Sequence, residues 1–252
     1  MVRKQSASAD RARAGRVTLS MPSTFAQYKT LLAKDLQQEF RTKEMLTSMG
    51  IYALLVLIVY GAALGQTAQA TDVLQLSGGL LWALIVFTSL LGLNRSFNHE
   101  KEQGCMEGIL LVPMDRSVIF LAKVTSNLLF LLVVEVIAVP LFWFFFLTTA
   151  QPGPDFMLMA VPLAVGTIGV AGIGTLLSTI TVNTRGKDVM LAVLFVPLIF
   201  PLLYACASAT TAVVVGAEGY LDVFTQSMAL AGGYDVIMLL VSWVLYDFVI
   251  SA

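Results

Sequence analysis

All 15 Lys and Arg residues of this 252-residue chain lie to one side of six long apolar stretches. The stretches run near residues 45–65, 74–93, 118–147, 157–181, 189–213 and 232–251. Each holds about the 20 apolar residues that a helix needs to cross the hydrocarbon of a bilayer. Loops 66–73, 148–156 and 214–231 contain no basic residue. Because positively charged segments stay on the cytoplasmic side, this pattern predicts an integral membrane protein with both termini in the cytoplasm.

The basic residues occupy three cytoplasmic segments. Nine of them precede the first stretch, and the loops after the second and fourth stretches hold Arg95, Lys101, Arg116, Arg185 and Lys187. Lys123 lies in the first turns of the third stretch, where its long side chain reaches back to the same interface. We therefore predict that Lys123, Arg185 and Lys187 lie at the membrane interface.

Composition supports the membrane assignment. The chain is 58% apolar and 12% charged, against roughly 25% charged residues in soluble domains. A net charge of -1 conceals a strong segregation of charge by side, so the basic residues indicate contact with anionic lipid headgroups and no nucleic acid. The two cysteines, Cys105 and Cys206, lie at different membrane levels and form no metal-binding pattern.

The chain is predicted to have three parts. Residues 1–22 read as a basic mobile tail on the lipid surface, and residues 45–252 as one six-helix transmembrane domain. Between them, residues 23–44 show apolar positions spaced by three or four: Phe25, Tyr28, Leu32, Leu36 and Phe40. That spacing predicts an amphipathic helix lying in the interface. It is either a simple anchor or the elbow helix that precedes the first span in one class of ATP-driven permease.

The cytoplasmic loop at 94–117 is the most informative segment. Glu100 and Glu102 lead it, an apolar run follows, and Pro113 ends the run. A short helix over 106–112 would place Met106, Ile109 and Leu110 on one face, which suits a groove on a soluble partner. The alternative is a solvated loop whose apolar run packs beneath the bundle.

Several residues within the spans carry separate expectations. Glu135 lies mid-span, where an ionised carboxylate is costly, so it is either a relay or substrate contact or an acid that fixes helix packing. Asp235 and Asp247 are expected at the two ends of the sixth span, and Trp82 near a span end. Pro197 and Pro201 predict a kinked or broken fifth helix, followed by a re-entrant or external helix within 205–231. The glycines of the fourth span indicate close helix packing.

The sequence indicates a non-catalytic subunit. No Gly-rich phosphate loop ending in Gly-Lys-Ser/Thr is present, so ATP hydrolysis by that route belongs to a partner, or else an ion gradient supplies the energy. His99 is the single histidine and has no second axial ligand for haem. No bound cofactor or metal is expected.

In its order of motifs the chain resembles the haem exporter protein B family, the permease subunit of the cytochrome c maturation ABC transporter. The residues that carry the resemblance are 93–97, Glu100, Glu102, Gly104, the run 107–113, Lys123, Glu135, Pro140, 183–185, Pro197 and Pro201. It extends over roughly residues 25–252. The resemblance implies an all-α, type-2 ABC exporter-like permease of six transmembrane helices preceded by an elbow helix.

The same resemblance implies a docking role for the loop 94–117 in a cleft of a soluble ABC ATPase. The residues implied in this coupling are Asn94, Arg95, Glu100, Glu102, Gly104, Glu107, Gly108, Pro113 and Asp115. It also implies haem-handling membrane subunits as partners, possible pairing with a second copy, and a place in the bacterial inner membrane. ATP would bind the partner, and haem would be exported or a haem-loaded chaperone released. Two alternatives stay open: an ion-coupled carrier using Glu135, and a type-2 permease for a lipid or drug.

Overall fold

The computed structural model describes residues 23–64, 70–102, 116–147, 156–181, 184 and 186–251; within these ranges the side chains of 70–72, 96–102, 156, 187, 247, 250 and 251 are left out. Every regular element in these ranges is helical. The helices are α1 (Thr24–Thr42), α2 (Glu44–Leu64), α3 (Ala70–Glu102), α4 (Arg116–Phe142, continued by a π-helical turn over Trp143–Leu147), α5 (Phe156–Thr181), α6 (Lys187–Val215) and α7 (Tyr220–Ser251).

Six helices are long and apolar enough to cross a bilayer, which confirms the predicted all-α membrane fold. Their candidate spans are Glu44–Leu64, Val73–Arg95, Arg116–Leu147, Met157–Thr181, Asp188–Val215 and Tyr220–Tyr246. A helix satisfies its own backbone hydrogen bonds, which is why long apolar segments adopt this form in lipid. The predicted tail, residues 1–22, lies outside the described residues.

The prediction for residues 205–231 was wrong. Helix α6 runs without interruption through Pro197 and Pro201 to Val215, and α7 begins already at Tyr220. Gly216 and Gly219 take positive φ angles of 61° and 78°, which lets a turn over residues 216–219 reverse the chain. The two prolines and the small residues after them suggested a re-entrant or external helix, but neighbouring helices support the backbone around a proline inside a membrane bundle.

Helix α5 lies at the centre of the bundle and contacts α3, α4, α6 and α7. Its glycines explain how three of these neighbours, α3, α6 and α7, approach it closely, since an added Cβ at any of them would overlap a side chain of another helix. The closest neighbours are Trp82 at Gly166, Asp235 at Gly169, Leu239 at Gly172 and Leu93 at Gly174. Close backbone approach at small residues is the usual basis of helix packing in lipid, as the sequence predicted.

Polar side chains within the bundle mostly bond to their own helix. The hydroxyls of Thr175, Thr179 and Thr181 donate to carbonyls four residues earlier on α5. This bonding satisfies a hydroxyl that has no water to bond with. Trp82 departs from its expected place near a span end: it is 1% exposed and its indole N–H donates to Thr210 Oγ1 at 3.0 Å.

Helix α1 has one face packed against neighbouring helices and another that is exposed. Tyr28, Asp35 and Glu39 face the neighbouring helices α2 and α4, whereas Phe25 and Phe40 are 73% and 63% exposed. Exposed aromatic rings next to basic residues are typical of a helix lying in the membrane interface. That arrangement supports the predicted interfacial placement of α1, which stays a prediction.

Candidate functional site

The predicted docking loop is described only at its start. Asn94 is half-buried and Arg95 exposed in α3, and Glu100 and Glu102 belong to the last turns of the same helix. The remaining predicted coupling residues, which lie outside the described residues, are Gly104, Glu107, Gly108, Pro113 and Asp115. Their role stays a prediction.

The helix that leads into this loop is longer than its membrane span. The apolar stretch of α3 ends at Leu93, but the helix continues to Glu102. Nine further residues add about 14 Å at 1.5 Å per residue. The upstream stem of the loop therefore projects past the apolar part of the bundle.

Arg95 joins this stem to the start of α2. Its Nη1 donates to Glu44 Oε1 at 2.8 Å, with the two side chains 45% and 68% exposed. An exposed ion pair of this kind contributes about 0 to 1 kcal/mol to stability. The ion pair contributes mainly by holding Arg95 of α3 beside the first turn of α2.

Lys123 joins the downstream stem, α4, to α1. Its Nζ lies 2.8 Å from Asp35 Oδ2, and both side chains are less than a tenth exposed. Ser126 Oγ lies 3.2 Å from the same oxygen and 2.8 Å from the Ala122 carbonyl, and its one proton serves one of them at a time. Tyr28 Oη donates to Thr125 Oγ1 at 3.1 Å. Lys123 was predicted at the interface from its own charge; its buried acidic partner on α1 was not foreseen.

The bend between α1 and α2 is held by a buried carboxylate. Glu39 Oε1 accepts from the backbone N–H of Leu46 at 2.8 Å, and its backbone carbonyl accepts from Lys43 N at 2.6 Å. Lys43 takes a left-handed φ of 54°, which permits a sharp change of direction at one residue. The side chain of Glu39 therefore caps α2 across the bend.

Glu135 is buried between α4 and α5, as its mid-span position predicted. Thr167 Oγ1 donates to Glu135 Oε1 at 2.7 Å and lies equally close to the Leu163 carbonyl. A hydroxyl carries one proton, so it serves one of these oxygens at a time. The hydroxyl can be hydrogen-bonded to both oxygens at once only if a protonated Glu135 donates to Thr167 Oγ1 while Thr167 donates to the Leu163 carbonyl.

Asp235 does not lie at a span end as predicted. Because α7 starts at Tyr220, Asp235 falls in the middle of that helix, where it is 5% exposed. It packs against Gly169 of α5 and Leu202 of α6. Within the described part of the chain its Oδ1 finds no hydrogen-bond partner. The sequence signal that would have located it is the turn at residues 216–219, which moves the start of the sixth span.

The remaining predicted residues form no cluster with these. Arg185 lies outside the described residues, and Lys187 opens α6, with nothing described of its side chain. Asp247 likewise has no described side chain. Among the described residues, no group of three His, Cys, Asp or Glu is placed to hold a metal ion.

These features define the class of the protein: an all-α, multi-pass membrane protein with an additional helix before the first span. The profile of the CcmB protein family matches residues 26–251, so the chain belongs to the CcmB family. The matched region begins in α1 and ends at the last residue of α7.

Bacterial relatives of this chain carry the name heme exporter protein B. The protein from Pseudomonas aeruginosa is 28% identical over 206 residues, covering 81% of this chain and 90% of its own length. The Rhodobacter capsulatus protein is 25% identical over 175 residues, covering 69% of this chain and 78% of its own. The Paracoccus denitrificans protein is 25% identical over 191 residues, covering 75% and 85%.

Proposed function

We propose that the chain is the transmembrane permease subunit of an ABC transporter complex that acts in cytochrome c maturation. The observation that carries this proposal is the CcmB family match over residues 26–251. Similarity to bacterial proteins named heme exporter protein B, over most of both lengths, supports the same function. Haem is accordingly the species handled, and the bacterial inner membrane is the location, with both termini in the cytoplasm.

A soluble ATPase partner drives the permease in this proposal. ATP binding draws two ATPase subunits together and displaces the loop 94–117, and the helix bundle shifts between two arrangements. Two structural features support a mechanical role for this region. Helix α3 projects to Glu102, past its apolar stretch, which ends at Leu93, and both stems of the loop are joined to α1 or α2 by ion pairs.

The shift of the bundle either carries haem across the membrane or releases a haem-loaded chaperone from haem-handling membrane subunits. These outcomes differ in what the purified complex retains. An absorption scan for haem, with gel analysis of the bound subunits, separates them when both are done before and after ATP addition: loss of haem without loss of a protein indicates export, and joint loss of haem and a protein indicates chaperone release.

Affinity purification from detergent-solubilised membranes tests the ATPase partnership. We expect the tagged chain to recover an ATPase in fixed stoichiometry, and either one or two copies of the chain per complex. The double variant Glu107→Ala with Pro113→Ala should recover much less ATPase. Glu218→Ala, in the exposed turn after α6, is the matched control and should recover the normal amount. Recovery of no ATPase by the unaltered chain would overturn the proposed function, and normal recovery by the double variant would overturn only the role of the loop.

A second candidate function is an ion-coupled carrier in which Glu135 takes up and releases a proton. The buried contact between Glu135 and Thr167 favours it, since acidic residues inside membranes often belong to proton pathways. Glu135→Gln removes the titrating group but keeps the shape. Loss of transport in this variant, with ATP and the ATPase present, would favour the carrier.

A further inference from the structure

We propose that the bend between α1 and α2 is the joint that ties together the two stems of the loop 94–117. The inference rests on the proposed function, because it assigns a mechanical task to residues next to the ATPase-facing loop. Its components are two ion pairs between helices, Glu44 with Arg95 and Asp35 with Lys123. All four residues lie in the described part of the chain.

The two pairs connect one short segment to both sides of the loop. Asp35 and Glu44 are nine positions apart in sequence and lie on either side of the bend. Arg95 precedes the loop on α3, and Lys123 follows it on α4. The acidic residues therefore lie on α1 and α2, and the basic residues lie on the stems, so each stem is attached to α1 or α2 by opposite charge.

The bend between α1 and α2 is held at a fixed angle by its own hydrogen bonds. The buried Glu39 side chain bonds to the backbone N–H of Leu46, across the left-handed Lys43. This fixes the angle between α1 and α2 independently of the two ion pairs. A displacement of one stem is then passed through a rigid corner to the other.

The two ion pairs differ in burial and therefore in strength. The Asp35–Lys123 pair is less than a tenth exposed, and Ser126 and the Tyr28–Thr125 bond reinforce it. Charges buried in this way separate at high cost, so α1 and α4 move as one body. The Glu44–Arg95 pair faces solvent and exchanges readily with water and ions. It is therefore the weaker of the two attachments.

Charge reversal at the exposed pair tests the joint. The complex is purified with its ATPase from cells carrying Glu44→Arg, Arg95→Glu or both, and cytochrome c formed is measured per ATP hydrolysed. We expect each single variant to lower this ratio about fivefold or more, within the range of coupling between distant sites. The exchanged pair should restore it. Lys29→Met, which removes an exposed cation of α1 outside both pairs, should leave the ratio unchanged.

A purely stabilising role gives a different result. It would lower the amount of complex recovered but leave cytochrome c formed per ATP at the normal value, and that outcome would overturn the inference. Failure of the exchanged pair to restore the ratio would also overturn it. Absence of ATPase from the unaltered complex would instead overturn the proposed function, and this inference with it.

Cross-linking tests the claim that α1 and α4 move as one body. In a chain with Cys105→Ser and Lys123→Met, Asp35→Cys and Ser126→Cys replace two side chains whose oxygens lie 3.2 Å apart. Joining the two thiols should raise cytochrome c formed per ATP towards the value of the unaltered chain, because the covalent bond replaces the lost ion pair, and no change on joining would overturn this part of the inference. A large fall on joining would show that α1 separates from α4 during the cycle, and would overturn this part of the inference.

Discussion

Asp35 on α1 and Lys123 on α4 form a buried ion pair of 2.8 Å between residues 88 positions apart in the chain. The pair attaches the helix that precedes the first span to the helix that follows the cytoplasmic loop. Neither residue alone signals this contact in the sequence, since one belongs to an amphipathic helix and the other to an apolar stretch.

The first prediction concerns the cost of breaking this pair. Lys123→Met leaves Asp35 without its closest cation, and we expect the free energy of unfolding to fall by about 3 kcal/mol. We expect a loss at the lower end of the range for breaking a buried ion pair, because Lys34 Nζ stays 3.5 Å from Asp35 Oδ1. Thermal unfolding of the purified protein in detergent measures the loss.

The matched comparison is the double variant Asp35→Leu with Lys123→Met. Because two apolar side chains leave no buried charge behind, it should regain most of the stability lost in Lys123→Met. Equal losses in the single and double variants would contradict an energetic role for the pair.

The second prediction concerns packing at α5. An alanine Cβ at Gly169 would overlap Asp235 Oδ1 and Leu202 Cδ2, so Gly169→Ala should destabilise the protein by about 1 to 3 kcal/mol. Gly233→Ala is the control, since the space next to Gly233 is open, and it should be neutral or gain up to about 1 kcal/mol. Detergent unfolding of both variants gives the comparison, and equal stability would refute the packing explanation.

The third prediction concerns Glu135. Glutamine at this position donates an amide N–H to Thr167 Oγ1 while that hydroxyl donates to the Leu163 carbonyl. We therefore expect Glu135→Gln to keep its stability within about 1 kcal/mol and to keep cytochrome c maturation. Thr167→Val, which removes the same bond from the other side, is the matched variant. Failure of maturation in a stable Glu135→Gln protein would favour the proton-carrier function.

The fourth prediction concerns orientation. In a Cys105→Ser background, Glu218→Cys should react with a membrane-impermeant thiol reagent in intact cells. Lys29→Cys should react only after the membrane is permeabilised. Both positions are exposed, and Cys206 is buried, so labelling reports the new thiols. The reverse pattern would place the termini on the outside.

The fifth prediction concerns the bend at Lys43. A left-handed φ costs a residue with a side chain about 1 kcal/mol relative to glycine, so Lys43→Gly should raise the free energy of unfolding by about that amount. Lys43→Ala removes the same charge but keeps the backbone strain, and it should bring no gain. If both variants are equally stabilised, the effect comes from the charge and the strain explanation fails.

Comparison with the sequence shows which features can be predicted from local pattern. The positions of the first five spans follow from runs of apolar residues, because each helix in lipid must bury about 20 of them in sequence. The start of the sixth span was predicted near residue 232 instead of Tyr220, since the small and hydroxyl-bearing residues after Pro201 suggested a re-entrant or external helix. In the structure Gly78 of α3 packs closely against the α6 backbone at Ala207, and the Thr210 hydroxyl bonds to the Cys206 carbonyl.

Some residues of the candidate site could be located from the sequence, and others could not. Glu135 could be singled out because a carboxylate in the middle of an apolar run is unusual on its own. Asp235 is equally buried, but its depth depends on where α7 begins, which in turn depends on the glycine turn at 216–219. Lys123 was recognised as a charge near a span end, and its partner required knowledge of how α1 lies against α4.

The amino-acid sequence by itself determined that the chain is an all-helical membrane protein, because the solvation of apolar and charged groups depends on composition along short segments. Only the tertiary structure decided which charges meet: Asp35 with Lys123, Glu44 with Arg95, and Asp235 against Gly169. These contacts join residues far apart in the chain, and they depend on the rotation and register of packed helices, which no local pattern specifies.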